Sequence, residues 1–482
     1  MERDGQLSGN GPIQAFHNFV AQRLREINCP YANNHVPEAI TCASMYCCKA
    51  TLLRSIRFLC GFGIIAVFGM GVPMQDRELY QEILGLKSPW SVTNVTLNLE
   101  EQQVDVFVEH PSGTKFCCPL CSLTLPCYDH TAERQWRHLD SCQFKTLLHA
   151  SIPRVNCPEH GVKQVQVPWA EKGSRFTILF ERFAIQVLLA TQNVKGAMSI
   201  LGTKWDQTWS IVERAVARGK ARKEAKAVPR LGIDEKAFLK GQNYITLLYD
   251  LDNSTVEAIS DGNDTDSGIA CLSQLSDAQI QSVEAIAMDM SAAYVKAAKQ
   301  VIPLAETKIV HDRFHIMQMA TMAVDKVRRG EHRQLMKDDD DRLSKTKYIW
   351  LTSFEKLSEK QQEVFDATYD LQLQTGKAWA YKEMLRDLWS QSSAASATAF
   401  FNDWYKRVIH TKLQPMKAVA RSIRERLQNV VNYCTHQVTN AVAEGMNSKI
   451  MSIKRRVGGF RNRQNFKTAI FFYCGGLSLY PQ

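Results

Sequence analysis

The chain has 482 residues, of which 45% are apolar and 22% charged, with a net charge of +10. This is the composition of a soluble globular protein with room for about three domains, and it excludes a low-complexity chain. The positive balance suggests a polyanionic partner, but only weakly, since many basic proteins bind none. The 14 cysteines cluster, five between Cys29 and Cys60 and six between Cys117 and Cys157. The second cluster has metal-ligand spacing, which points to zinc in an intracellular protein rather than to a disulfide scaffold.

Residues 1–73 read as an upstream extension without a core function. The uncharged stretch at 58–75 follows Arg54 and Arg57. It is near the lower length limit for a membrane span, starts too late for a signal peptide, and carries glycines that weaken a helix. A membrane role is therefore not expected, and Met74 opens what reads as an ordinary domain.

Residues 74–170 form the next predicted domain. Apolar and polar residues alternate over 90–110, the pattern of a β-hairpin. A zinc-binding module is predicted at about 115–165. Cys118-Pro-Leu-Cys121 and Cys157-Pro-Glu-His160 are two short ligand pairs. Brought face to face, they give the closed S₃N tetrahedron of structural zinc. Cys117, Cys127, Cys142, His130 and His138 are rivals for single positions. Arg134, Arg137 and Arg154 would suit phosphate contacts on such a module.

Residues 171–228 change to helical spacing, with Phe176, Leu179, Phe183 and Val187 on one predicted face. Two short helices then meet at Gly202, and Trp205, Trp209, Val212 and Val216 line a face of the second. This is a helix-turn-helix pattern, although a plain helical hairpin gives the same signal. The neighbouring zinc module and the basic linker at 217–230 favour DNA binding. Lys204, Arg218, Lys220, Arg222 and Lys223 are its candidate phosphate contacts.

From 229 to 325 the chain reads as α/β. Strands are expected at 241–252, 253–262 and 283–289, a helix after Ser291, and another strand before Asp312, which together give a mixed sheet with helices on it. Residues 326–430 are almost wholly helical and read as an insertion. In 431–482, a basic helix beginning near Asn440 carries Glu444, and Asn447, Lys454, Arg455 and Arg456 on that helix, with Arg461 beyond it, are further candidate DNA contacts. Between Lys406 and Lys467 the only acids are Glu425 and Glu444. Asp234 and Asp289 each follow an apolar run, where a strand end would present a carboxylate. With Glu444 they form the candidate catalytic trio. Carboxylates from separate elements are suited to holding two Mg²⁺ (or Mn²⁺) ions for phosphodiester chemistry. Glu235, Asp250, Asp252 and Asp312 are rivals, and Asp312 is the strongest of them as a supporting residue.

The stretches CPLC, RQWRHLDSCQFKTLLHASIPRVNCPEHGV, LGIDEKAFLKGQNYITLLYDLD, AIAMDMSAAYVKAAKQVIP, IVHDRFHIMQMATMAVDKVRRGEH and NAVAEGMNSKIMSIKRRVGGFRN occur in the order seen in the ISL-three insertion-sequence family of DDE transposases. From about Met74 onward the chain resembles that family. The resemblance implies an α+β multidomain protein with a zinc-ribbon-like module, a helix-turn-helix and an RNase H-like mixed α/β core interrupted by a helical insertion. It implies Asp234, Asp289 and Glu444 as the DDE residues. It further implies one structural Zn²⁺, two Mg²⁺ or Mn²⁺ per active site, and a bacterial cytoplasmic setting. The expected partners are the element's terminal inverted repeats and target DNA, in a homodimer or larger synaptic complex, with no small-molecule substrate. Two alternatives are a catalytically silent DNA-binding regulator derived from a transposase and an RNase H-like nuclease acting on RNA. An intact acid trio speaks against the first and dedicated DNA-reading modules against the second.

Overall fold

The computed structural model describes residues 75–239, 243–369 and 373–482. The chain divides into two compact units, Met1–Ile83 and Leu84–Gln482. In the first, the described part holds helix α1 (Asp76–Ile83). The expectations for residues 1–73, and all of the 58–75 stretch but Gln75, lie outside the described residues. No helix among the described residues is long and apolar enough to cross a membrane.

The second unit opens with the expected hairpin, β1 (Ser91–Asn98) antiparallel to β2 (Gln103–Glu109), with Val95 opposite Val106. Val104, Val106 and Val108 are buried and alternate with more exposed neighbours, the period-two signature of a strand with one face on a core. Seven short strands follow: β3 (Lys115–Cys117), β4 (Thr124–Pro126), β5 (Asp129–His130), β6 (Arg134–Arg137), β7 (Lys145–Ala150), β8 (Pro153–Cys157) and β9 (Gly161–Gln164). β7 and β6 extend the first sheet in the order β1-β2-β7-β6, while β3-β4 and β5-β8-β9 form two small sheets. Trp169 packs edge-on against both Trp90, at 4.9 Å, and Trp136, at 5.6 Å. Such large buried rings give a domain of short strands its core.

Helices α2 (Ile178–Thr191), α3 (Val194–Leu201) and α4 (Trp205–Ala221) follow. Thr177 caps α2 by accepting from the Phe180 N–H, and Asn193 caps α3 by accepting from the Lys195 N–H. Gly202 closes α3 at φ 60°, a left-handed conformation that favours glycine. The buried face of α2 agrees only in part with the expected one: Phe176 and Val187 are buried as expected. Phe180, Ala184, Ile185 and Leu188 are buried, whereas Leu179 and Phe183 are exposed. On α4, Trp209, Val212 and Val216 are buried as expected, but Trp205 is 39% exposed and stacks on Trp209. Both helices are apolar over more than one stripe, so spacing alone left the inward stripe ambiguous.

The central five-stranded sheet has the order β12-β11-β10-β13-β14. Its strands are β10 (Arg230–Ala237), β11 (Tyr244–Asp250), β12 (Thr255–Asp261), β13 (Ala285–Met288) and β14 (Ile309–His311). β10, β11 and β12 are antiparallel neighbours, while β13 and β14 run parallel to β10. The β12–β13 connection carries α5 (Thr265–Leu272) and α6 (Asp277–Ser282), and the β13–β14 connection carries α7 (Ala292–Val301) and α8 (Ala305–Lys308). β13 is buried at every position, as a strand covered on both faces must be. Leu231, Ile233, Leu248 and Ile286 share a core with residues of α5 and α7. On the other face, Leu247, Tyr249 and Ala287 share one with α2–α4 and the two C-terminal helices.

Residues 326–430, expected to be helical, fall within a longer helical stretch among the described residues. It consists of α9 (Arg313–Leu335), α10 (Lys347–Leu351), α11 (Glu359–Tyr369), α12 (Gln374–Arg386), α13 (Ala394–Ile409), α14 (Gln414–Glu425), α15 (Leu427–Val431) and α16 (Tyr433–His436), around a separate core that includes Trp350, Phe401 and Trp404. The chain then returns to the sheet: Asn432 Nδ2 donates to the carbonyls of Glu306 and Ile309. Helices α17 (Ala441–Arg456) and α18 (Arg463–Cys474) complete the fold. Gly232 lets α17 start close over β10. A Cβ there would lie 2.8 Å from Leu251 Cδ2 and 3.1 Å from Asn440 Oδ1.

Candidate active site and zinc centre

The two cysteine-containing turns sit at neighbouring hairpin ends. Cys118 and Cys121 lie in the β3–β4 turn, where the Ser122 N–H donates to the Cys118 carbonyl and the Cys118 N–H to the Leu123 carbonyl, both at 2.9 Å. Cys157 and His160 lie in the β8–β9 turn, closed by the Cys157–Gly161 pair. Ligand atoms of all four residues lie within 4.8 Å of one another. Cys121 Sγ is 3.6 Å from Cys157 Sγ, and His160 Nδ1 is 3.5 Å from Cys157 Sγ and 4.0 Å from Cys118 Sγ. Four ligands on a tetrahedron with Zn–S bonds near 2.3 Å lie about 3.8 Å apart, so the set fits zinc. The backbone N–H groups of Cys121 and then Leu120 hold the Cys118 thiol down at about 7, which favours the thiolate a metal needs.

Four of the five rivals for this site have other neighbours, and Cys142 is an exposed free cysteine. Cys117 lies against Thr124 Oγ1, and Cys127 donates to the Asp129 carbonyl. His130 stacks on His110 with Nε2 atoms 2.8 Å apart. His138 is buried, its Nδ1 2.9 Å from Thr177 Oγ1. Burial, and then Arg137, lower its pKa to about 4.

The acids gather at one end of the central sheet. Gly232 pairs with Ala287 in the parallel β10–β13 register, and Met288 with His311 in β13–β14. Continuing each strand by its next residues brings Asp234, Asp289 and Asp312 to successive positions across three parallel strands. Asp234 is on β10, and its Oδ2 accepts from Asn447 Nδ2 of α17 and lies 3.7 Å from Lys236 Nζ. Asn447 is itself held by the Tyr249 hydroxyl, which donates to its Oδ1 at 2.6 Å. Asp289 Oδ1 accepts from the Ser291 N–H at 2.9 Å. Glu444 is in the first turn of α17. Desolvation, and then the charge of Asp312, raise its carboxyl, and Asp234 adds to the effect. Desolvation, followed by the charges of Asp289 and Asp234, also raises Glu235. Nearby carboxylates thus add to the effect of burial at Glu235 and Glu444. Among the described residues, the acidic group whose ligand atoms all lie within 4.8 Å of one another is Asp312, His315 and Glu444, and Asp234, Asp289 and Glu444 do not form such a group.

Of the other acidic rivals, Asp250 and Asp252 serve the fold. Asp250 ties the β11–β12 turn by accepting from the N–H groups of Asp252 and Asn253, and Asp252 pairs with Arg230. Asp312 is buried and caps α9. Its ligand atoms, with those of His315 and Glu444, lie within 4.8 Å of one another. His315, Tyr249 and Lys236 were not singled out by sequence reasoning. A histidine three residues beyond an aspartate at a strand-to-helix junction was the available signal.

The residues predicted to bind DNA fall into two groups. Lys204, Arg455 and Arg461 are exposed, and the guanidinium of Arg134 lies over the Trp136 ring. The others have partners inside the protein. Arg137 pairs with Asp140. Arg218 is buried, bonded to Glu171, Glu181 and the Leu479 carbonyl. Lys220 sits over Phe471, Arg222 donates to the Tyr480 carbonyl and Lys223 pairs with Glu257. Lys454 donates to the Phe238 carbonyl and Arg456 to Gln192. Asn447 is buried and positions Asp234 instead of facing solvent. A charge run in the sequence does not reveal these long-range partners.

Comparison with known proteins agrees with this organisation. Residues 114–160 match the zinc finger of IS204/IS1001/IS1096/IS1165 transposases, and residues 165–216 the helix-turn-helix domain of the ISL3 transposase family. Residues 231–470 match the transposase domain of that family. The chain is 24% identical over 398 residues to the transposase for insertion sequence element IS1001 of Bordetella parapertussis, covering 82% of this chain and 97% of that protein. It is also 24% identical over 428 residues to the transposase for IS1557 of Mycobacterium tuberculosis, covering 81% of this chain and 94% of that protein. The zinc finger, helix-turn-helix and transposase domains follow in family order, and the chain belongs to the ISL3 family of insertion-sequence transposases.

Proposed function

We propose that this transposase cuts DNA at the ends of its own element and joins the freed 3′-hydroxyl to target DNA through Asp234, Asp289 and Glu444, in an RNase H-like core. The single observation that carries this reading is the register of β10 and β13. Continued two residues beyond the Gly232–Ala287 pair, it supports Asp234 lying beside Asp289, and the rise that the Asp234 charge contributes at Glu444 supports Glu444 of α17 as the third member. The 3-2-1-4-5 strand order, with the first three strands antiparallel, supports the core assignment. These carboxylates suit two hard divalent cations, Mg²⁺ or Mn²⁺. Such ions supply a nucleophile at neutral pH and neutralise charge on the attacking and leaving oxygens.

The chain's own residues prepare that site. Asn447 fixes Asp234, and Tyr249 fixes Asn447. Lys236 beside Asp234 offsets part of the acidic charge and draws a phosphate toward the carboxylates. Cys118, Cys121, Cys157 and His160 hold one structural zinc, and the zinc module with α2–α4 binds the terminal inverted repeats. Two ends must be held together for transfer, so the working species is a homodimer or larger synaptic complex. The test is nicking of an end-labelled duplex carrying the element terminus, with Mg²⁺. Asp289→Asn should abolish nicking and leave end binding within about twofold. Retained nicking would show that this trio is wrong.

A further inference from the structure

Asp312 ends β14 and caps α9, and this capping role leaves half of its carboxylate unaccounted for. Oδ1 accepts from the Phe314 N–H at 3.4 Å, a long contact. Oδ2 has no hydrogen-bonding partner, although the side chain is buried at 4% exposure, with the backbone N–H of Asn440 also facing the carboxylate. N-cap aspartates are ordinarily solvated, and a buried carboxylate oxygen without a partner is a costly arrangement unless something else neutralises it. Two further ligand-bearing groups converge on the same place. His315 lies one turn into α9, on the side of Asp312, and Glu444 comes from the first turn of α17. One ligand atom from each of the three lies within 4.8 Å of the others. Ligands about 2.1–2.2 Å from a six-coordinate cation are about 3–4.4 Å apart, so three atoms within 4.8 Å of one another need at most a small approach to surround an ion.

We propose that Asp312, His315 and Glu444 together hold one divalent cation, with Asp312 a fourth carboxylate of the active site and His315 its nitrogen ligand. The inference deepens the proposed function and rests on it for the role of Glu444, which this site shares with the Asp234–Asp289–Glu444 trio. The imidazole sets the chemical preference. All-oxygen sites take Mg²⁺ readily, whereas a ring nitrogen favours first-row transition ions. This position therefore prefers Mn²⁺ to Mg²⁺. Asp312 continues the row begun by Asp234 and Asp289, so the second cation sits at the β14 side of the sheet end, under α17.

The experiment is a Mn²⁺ titration of the full chain, followed by the electron paramagnetic resonance signal of free Mn²⁺, with pulsed measurements of ¹⁴N coupling to the bound ion. The wild type should show ¹⁴N coupling. His315→Gln should lose that coupling and weaken Mn²⁺ at this site about tenfold or more, with a smaller effect on Mg²⁺ competition. Asp312→Asn, which keeps the shape of the cap, should weaken both ions. Thermal melting of each variant separates ligand loss from misfolding, and His315→Gln, at a half-exposed position, covers the case in which Asp312→Asn is unstable. A wild type that binds Mn²⁺ without ¹⁴N coupling, or does not bind it, overturns the inference. So does a folded His315→Gln that binds as the wild type does. If these variants bind normally while Asp289→Asn abolishes nicking, this inference fails and the trio stands. If ¹⁴N coupling depends on His315 while Asp289→Asn still nicks DNA, the trio fails and this site stands.

Discussion

In the zinc module, four ligands come from two hairpin turns within residues 118–160, and their atoms already sit at nearly tetrahedral spacing. The acidic site draws instead on the middle of β10, on the residues that follow β13 and β14, and on a helix that arrives after the long helical stretch, and burial, then neighbouring carboxylates, raise the Glu235 and Glu444 carboxyls. The first arrangement is fixed by local backbone hydrogen bonds. The second is fixed by the sheet register, by Asn447 reaching back to Asp234, and by Asn432 anchoring the returning chain to β14. A closed soft site can be built from short-range turns, whereas an open hard site for a phosphodiester needs charges that only distant segments can bring together. That is also why the insertion can be large: it has only to return α17 to the same face of the sheet.

The largest expected effect is on the locally built site. Cys118→Ser or Cys157→Ser should remove the zinc, measured as metal per chain, and unfold the module, because structural zinc contributes on the order of 10 kcal/mol to small zinc domains. End binding should fall by more than tenfold. A zinc-free variant with full end binding would break the contrast drawn here. A smaller effect is expected on the long-range site. Asn447→Ala removes the contact that orients Asp234 and should slow Mg²⁺-dependent nicking by about 10–100-fold with end binding unchanged. Loss of end binding in step with nicking would assign Asn447 to the DNA surface instead.

The smallest effect concerns His138, which follows β6 and meets Thr177 at the cap of α2. His138 is held neutral, with its pKa lowered from 6.5 to about 4, by burial and then Arg137. A depressed folded-state value means that the unfolded chain takes up the proton first. The stabilisation is therefore complete above pH 6.5 and is lost as the pH falls toward 4, by on the order of 1–3 kcal/mol. His138→Asn should flatten this part of the pH dependence of the urea midpoint relative to wild type, with zinc present throughout. An unchanged slope between pH 7 and 5 would refute the assignment.

Much of this was legible in the sequence where the signal is local. The hairpin over 90–110, the glycine turn at Gly202, the strands around Asp234 and Asp289 and the two ligand pairs of the zinc module all rest on spacing over a few residues. Partners far away in the chain were not legible. Arg218 reads as part of a basic linker, yet its guanidinium is bonded to Glu171, Glu181 and the Leu479 carbonyl. Asn447 reads as one polar residue on a basic helix, and only the fold reveals that it bridges Tyr249 and Asp234. The inward face of α2 was misjudged at Leu179 and Phe183 because an apolar helix packed on several sides has no single stripe to read.

The most direct test of the acidic site is anomalous diffraction from crystals of the full chain soaked in MnCl₂, with data collected at the manganese and zinc edges. The zinc peak at Cys118, Cys121, Cys157 and His160 serves as the internal standard. The account predicts manganese peaks among Asp234, Asp289, Asp312 and Glu444 at the sheet end. A zinc peak accompanied by no manganese between those carboxylates would contradict it.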